Sequence, residues 1–423
     1  MTRPVQPCRR AARRGSFLTL LALLPLLAAP AGAEKTPDDR RKIVTLENSA
    51  TGLPYSPAVW AGDFLMLSGA LGTVAGTPGV PGDAVAQTRQ AMKNLQAVLA
   101  AADLDLSRVV SSDLYLSDRA DFTAITRAYA AALPEGGVKP TRASLETDLA
   151  LPDARIEIGM IAARKGLALE KIQPPEWRES SQLSWGVKAG SSLFISGMLA
   201  IDPKTGSFEN GDAAAQTTFA MNNVGAVLKA AGMGFEDLAR CRVFLADARD
   251  YGAMNEAYGA FFQGIVPPAR ATVRAKLLPS GARLEVQCVA VKPGKGEAAR
   301  AVRSAAGSQP SGRPFSPSIE VGGTLYLAGM VGRGKDGYPA GLEAQARVTL
   351  ERLETTLKAA GLTFRDVASA VVYLTDIRHY DAMNAVYKEV LGDAAPPARA
   401  TVGTALMSPD ALIEIQMTAI SKP

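Results

Sequence analysis

The heptapeptide PPARATV occurs twice, at 267–273 and 396–402, and a weaker copy, KPTRASL, lies at 139–145. Their arginines, Arg142, Arg270 and Arg399, stand 128 and 129 residues apart. Fifteen residues after each comes a glutamate inside an apolar, strand-like run: Glu157 in RIEIGMIA, Glu285 in RLEVQCVA and Glu414 in LIEIQMTA. A period that holds at two landmarks marks three copies of one unit. At about 115–130 residues each unit can bury its own core, and it is far longer than a solenoid repeat of ~20–50 residues.

The copies run over residues 42–164, 181–292 and 314–423, and the Gly-, Ala- and Ser-rich stretch at 293–313 reads as a flexible linker. Each repeats the same order: strand, strand, helix, strand, helix, strand, strand. The early strands end FLMLSG, LFISG and LYLAG. In the first helix of copy one, Met92, Leu95, Val98 and Leu99 fall on one face. This is an α+β pattern, one sheet covered by two helices on one face. The strands are apolar on both faces, so the uncovered face needs a partner, and three tandem copies supply one by packing sheet against sheet.

Residues 1–33 read as a secretory signal peptide. Arg3, Arg9, Arg10, Arg13 and Arg14 precede the short apolar run FLTLLALLPLLAAP, and Ala31-Gly32-Ala33 predicts cleavage after Ala33. The expected location is therefore secreted or periplasmic. Those five arginines are the whole of the formal +5 charge, so the mature chain is neutral. A neutral chain without a basic stripe is a poor match for nucleic acid. Cys8 lies in the leader, leaving Cys241 and Cys288, which fit either two buried thiols or a disulfide. The lone histidine, His379, precedes a helix pattern and reads as a solvated helix-start residue. So few soft ligands disfavour a metal centre, and no cofactor motif stands out.

The PARxxV motif, Gln87-Thr88 and Gln216-Thr217 at the first helix, the Ser-Gly pairs and the closing IEI-type strand resemble the RidA (YjgF) family of reactive intermediate deaminases. The resemblance implies chorismate-mutase-like domains assembled as a trimer, here an intramolecular pseudo-trimer of one monomeric chain, with ligand clefts between domains. It also implies hydrolysis of small enamines and imines to a keto acid and ammonia without metal or cofactor. The family arginine, which holds a substrate carboxylate, falls on Arg142, Arg270 and Arg399. The family glutamate, which handles water and protons, falls on Glu157, Glu285 and Glu414. The family serine beside a glycine falls on Ser68-Gly69 and Ser196-Gly197, the residue two after the arginine on Ser144, Thr272 and Thr401, the asparagine on Asn255 and Asn384, and the tyrosine on Tyr55. Thr126, Leu183, Phe315 and Ala328 depart from that pattern, so no copy holds the full set, and a complete site requires borrowing between copies. The cleft that depends on Ala328 is expected to be weakened.

Blander readings stand beside these. Each arginine could pair with its own glutamate across adjacent strands, the serines could be small residues at a tight strand end, and the Met and Tyr of the second helices read as core. For function, a non-catalytic binder of small carboxylates is the alternative to the deaminase, and an RNA-directed activity is disfavoured by charge.

Overall fold

The computed structural model describes residues 41–46, 52–304 and 312–421, so the predicted leader lies outside the described residues. Three sheets form, one per copy. The first domain's sheet runs, in spatial order, Arg41–Val44, Ala58–Ala61, Phe64–Leu71, Ile156–Ala163, Val109–Leu116 and Thr141–Glu146. Two helices, α1 (Ala84–Ala101) and α2 (Phe122–Ala132), cover one face. Strands 109–116 and 141–146 are parallel and joined through α2; the other neighbours are antiparallel. The second domain repeats this with α3 (Ala213–Ala230) and α4 (Tyr251–Ala260), and the third with α5 (Leu342–Ala359) and α6 (Tyr380–Leu391).

The glutamine shared by the three copies staples each long helix to its own sheet. Gln87 donates through Nε2 to Val80, Gly82 and Asp153 carbonyls and accepts from the Arg155 N–H. Gln216 and Gln345 make the corresponding bonds, including acceptance from the N–H groups of Arg283 and Leu412. A buried side-chain amide has donors and acceptors to satisfy, and here loop backbone satisfies both.

Two connecting segments carry more structure than their composition suggests. Leu169–Ile172, between the first two copies, pairs with Gly186–Ala189 as the edge of the second sheet. Ala301–Val302, inside the stretch read as a flexible linker, pairs with Ser318–Val321, and Arg300 anchors it by donating to Leu238 and Val266 carbonyls. Residues 305–311 of that stretch lie outside the described residues.

The uncovered sheet faces meet one another, as strands buried on both faces require. Apolar side chains of all three domains share one cluster, with Tyr115, Leu145 and Leu149 of the first, Phe244, Val273 and Leu277 of the second, and Tyr373, Val402 and Leu406 of the third. Backbone pairing closes the ring: Leu277 pairs with Leu145, Leu149 with Val402, and Leu406 with Val273. Each domain thus lends a short extension to a neighbour, and the chain forms an intramolecular pseudo-trimer.

The three-fold symmetry breaks at the centre. Equivalent positions hold Asp113, Arg242 and Val371. Arg242 Nη2 donates to both Asp113 oxygens, at 2.7 and 2.6 Å, while Nη1 reaches the Tyr115 hydroxyl at 3.3 Å. Gln287 bridges the pair, bonded to Arg242 and donating to Asp113 at 3.1 Å. Beside it, register places Cys241 directly opposite Cys288, and the two form a disulfide between neighbouring strands of the second sheet.

Breaking a buried ion pair from one side leaves an uncompensated charge, which costs about 3–5 kcal/mol, whereas replacing both partners is far milder. Asp113→Val should therefore destabilise the chain strongly in urea unfolding, and adding Arg242→Val should recover most of the loss. A double variant no more stable than Asp113→Val alone would contradict this account.

Candidate functional site

Each site arginine meets a glutamate of the next domain, not its own. The Glu strand and the Arg strand of one domain are separated by the strand between them, at 109–116 in the first sheet, so pairing across adjacent strands does not occur. The Thr401 backbone N–H donates to Glu157 and the Arg399 charge acts on it; Ser144 and Arg142 do the same for Glu285, and Thr272 and Arg270 for Glu414. Three clefts result, one at each domain boundary.

The boundary of the first and third domains gathers the complete set. Tyr55, Ser68, Gly69 and Glu157 come from the first domain, and Arg399, Thr401 and Asn384 from the third. Arg399 Nη2 donates to Asn384 Oδ1 at 2.6 Å and to the Tyr380 hydroxyl at 3.4 Å. Its guanidinium lies 5.2, 5.7 and 5.0 Å from the ring centroids of Tyr55, Tyr380 and Tyr387. Aromatic faces stabilise a cation without neutralising it.

At the boundary of the first and second domains, Arg142 and Ser144 face Ser196, Gly197 and Glu285. With Thr126 and Leu183 at the positions expected to hold asparagine and tyrosine, Arg142 Nη2 donates instead to Gln182 at 3.4 Å. At the boundary of the second and third, Arg270, Thr272 and Asn255 face Gly329 and Glu414, and Phe315 takes the place of Tyr55 at 4.9 Å from Arg270. This last cleft opens into a cavity of about 450 Å³.

The serines do a different job from the one expected. Ser68 Oγ accepts from the Arg399 backbone N–H at 2.7 Å and donates to the Ser56 carbonyl at 2.6 Å. Ser196 Oγ accepts from Arg142 N–H at 2.9 Å and donates to Ser184 at 2.7 Å. A hydroxyl has one proton, and in both it is spent on protein backbone. These serines position the arginine strand across the domain boundary. The N–H groups of Gly197 and Gly329 are likewise committed, to the carbonyls of Arg142 and Arg270 at 3.0 and 3.1 Å. Ala328 therefore removes a clamp on Arg270, while that cleft keeps its arginine, its threonine and its glutamate.

The glycines are required for another reason. A Cβ at Gly69, Gly197 or Gly329 would lie 1.8, 1.7 or 1.9 Å from the Oε1 of Glu157, Glu285 or Glu414. The carboxyl rests on bare backbone, and any larger residue would displace it. Burial pushes the carboxyl of each glutamate up to about 8, against the pull of the neighbouring N–H and guanidinium. Desolvation dominates because a charged carboxylate loses more in a dry site than one N–H returns.

The arginines are buried, at 8, 3 and 4% exposure for Arg142, Arg270 and Arg399. None forms an ion pair with a carboxylate among the described residues. Each also keeps a buried nitrogen without a protein hydrogen bond: Arg142 Nη1, Arg270 Nε and Arg399 Nη1, accompanied by the Ser144 and Thr401 hydroxyls. A cation beside a neutral acid, with spare donors, is an environment made for an anion. The second-helix tyrosines divide between two roles. Tyr258 and Tyr387 are core residues whose rings also face the arginines, whereas half-buried Tyr251 and Tyr380 reach the clefts. The spacing of seven that aligns Tyr251 with Tyr258 and Tyr380 with Tyr387 was the available signal for that stripe.

The raised carboxyls link stability to pH. In the unfolded chain these glutamates ionise near 4.5, but in the folded chain only near 8. The native state therefore holds extra protons between those values, and stability falls as pH rises through that window, by up to about 1.4 kcal/mol per pH unit per carboxyl. Glu157→Gln should leave the melting temperature near wild type at pH 4.5 and raise it at pH 8. A constant offset across that range would contradict the assignment.

The Endoribonuclease L-PSP family profile matches residues 46–164, 177–292 and 307–421. Over 109 residues the chain is 40% identical to a RutC family protein of Pyrococcus horikoshii, a match spanning 26% of this chain and 86% of that protein. Over 109 residues it is 38% identical to the 2-iminobutanoate/2-iminopropanoate deaminase of Mus musculus, spanning 26% of this chain and 80% of that one. A solved chorismatase structure superposes on 74% of this chain and 93% of its own, at a TM-score of 0.50 and 16% identity, which shows a shared fold. With three such matches covering most of its length, the chain belongs to the Endoribonuclease L-PSP family, the family of RidA and YjgF, and carries that family's domain three times in tandem.

Proposed function

We propose that the chain hydrolyses a small carboxylate-bearing enamine or imine to a keto acid and ammonia. The observation that carries this reading is the boundary of the first and third domains, where Arg399 lies buried with no carboxylate paired to it among the described residues, beside Glu157, whose carboxyl burial pushes up to about 8. Arg399 takes the substrate carboxylate, its free Nη1 completing a fork. Thr401 and Asn384 fix the orientation.

Glu157 carries the protons. As a neutral acid it protonates the enamine carbon, or the nitrogen of the imine that results, and so makes the C=N carbon electrophilic. As a carboxylate it then takes a proton from the water that adds to that carbon. Returning this proton to nitrogen lets ammonia leave, and as the C=O forms the hydroxyl proton of the adduct passes to the carboxylate and restores the carboxyl. One water is consumed and one ammonia released. A carboxyl near 8 suits this exchange, because both of its forms are accessible close to neutral pH. Bare backbone at Gly69 leaves the carboxyl room beside the reacting carbon.

The boundary of the first and second domains favours the second reading, simple carboxylate binding. It lacks the tyrosine and asparagine, and Gln182 occupies one nitrogen of Arg142. An RNA-directed activity draws no support from a chain that is neutral once residues 1–33 are removed. We place the protein outside the cytoplasm, a reading supported by the arginine-led apolar leader and by the Cys241–Cys288 disulfide, which suits an oxidising compartment.

Ammonia and keto-acid release should be measured with imines generated in situ. Wild type should exceed buffer, with kcat/KM falling as pH rises through about 8 while Glu157 loses its proton. Glu157→Gln should lose about 10²-fold or more in kcat. Arg399→Lys keeps the charge but not the fork, and should raise KM by roughly tenfold or more. Binding of keto acids with release no faster than in buffer would leave only the binding reading.

A further inference from the structure

The three clefts differ in what surrounds the arginine. The cavity of about 450 Å³ between the second and third domains is lined by Arg270 and Glu414 and also by Arg352 and Arg313, whose equivalent positions in the other two domains hold uncharged residues. Arg352 lies on α5 where α1 has Asn94 and α3 has Asn223. Those asparagines hold a loop: Asn94 Nδ2 donates to Leu71 and Thr73 carbonyls, both at 3.0 Å, and Asn223 Nδ2 to Leu199 and Ile201 at 3.2 and 3.0 Å. Arg352 does the same work with Nη1 alone, donating to Val331 and Arg333 carbonyls at 2.7 and 3.4 Å. An asparagine suffices for the fold, so the remaining guanidinium nitrogens and the charge are surplus to it.

That charge stands in unfavourable company. Arg352 is half-buried, and both burial and the neighbouring Arg313 and Arg333 charges lower its pKa. Arg313 occupies a place held by Leu53 in the first domain and Ser181 in the second, and its guanidinium lies 5.9 Å from the Phe315 ring, whose other neighbour is Arg270. The same wall carries apolar Phe315, Pro317 and Met407 beside polar groups such as Thr355 and Ser408. Like charges held together at a cavity wall are stabilised by an anion that spans them.

We propose that the cleft between the second and third domains binds a dianionic ligand, with one carboxylate on Arg270, a second acidic group on Arg352, and an apolar body between them against Phe315 and Met407. This rests on the reading that the site arginines hold carboxylates, and it assigns the tandem chain a second ligand class beside the monocarboxylate of the first–third boundary.

Calorimetric titration of the full chain should compare 2-oxobutanoate with oxaloacetate, 2-oxoglutarate and 2-oxoadipate. At least one of the dicarboxylates should bind at least tenfold more tightly than 2-oxobutanoate. Arg352→Asn, which restores the residue of the other two domains, should abolish that preference while leaving 2-oxobutanoate affinity unchanged. If Arg352→Asn does not fold, Arg313→Ser at an exposed position should weaken dicarboxylate binding alone. The proposal is overturned if no dicarboxylate is preferred, or if the preference survives in the folded variants. Failure of 2-oxobutanoate to bind wild type would instead overturn the underlying carboxylate reading.

Discussion

A guanidinium removed from water, with no carboxylate paired to it among the described residues, is the constraint around which this protein is arranged. It occurs three times, at Arg142, Arg270 and Arg399, and each time burial pushes the carboxyl of the neighbouring domain's glutamate up to about 8. Pairing the two as ions would quench the site. Instead the structure spreads weaker compensation around the cation: an amide oxygen from Asn255 or Asn384, or from Gln182, and aromatic faces. The cost of holding charge in this state is offset by domain packing elsewhere, and the site stays responsive to an anion.

Holding such a charge at a boundary demands that the boundary not slip. The backbone of Arg142 and of Arg399 is fixed across it by the Ser-Gly turn of the next domain, that of Arg270 by Gly329 alone, and the strand extensions fix the next residues along. At the centre, Asp113, Arg242 and Gln287 form a network that exists once, where three-fold symmetry would repeat it. A homotrimer cannot place an acid and a base at equivalent positions of neighbouring subunits. A tandem chain can, and the same freedom lets Arg352 stand where Asn94 and Asn223 stand in the other copies.

Much of this was legible in the sequence. The period of the PARxxV and IEI motifs gave three units, helix spacing gave the covered face, and strands apolar on both sides required sheet-to-sheet packing. The candidate residues Tyr55, Glu157, Arg399, Thr401 and Asn384 were all nameable beforehand. Which copy lends which residue was not, because it depends on the direction in which the ring closes, and no local pattern encodes that. The serines misled for a related reason: a hydroxyl beside a glycine looks the same in sequence whether its proton faces a ligand or the Ser56 carbonyl. The edge strands at 169–172 and 301–302 escaped notice because Gly, Ala and charge dominate those stretches, and only pairing with a strand already in place orders them. Cys241 and Cys288 needed the register, since sequence distance says nothing of which residues stand opposite.

Closure of the ring by Leu149 against Val402 makes the first unit a neighbour of the last. Every unit is therefore a shareholder in two crevices and the sole owner of none. Excising any one would dismantle two crevices at a stroke and leave a single survivor. Gradual shortening of such a gene is unfavourable, whereas drift inside one crevice, with its two siblings intact, carries little penalty.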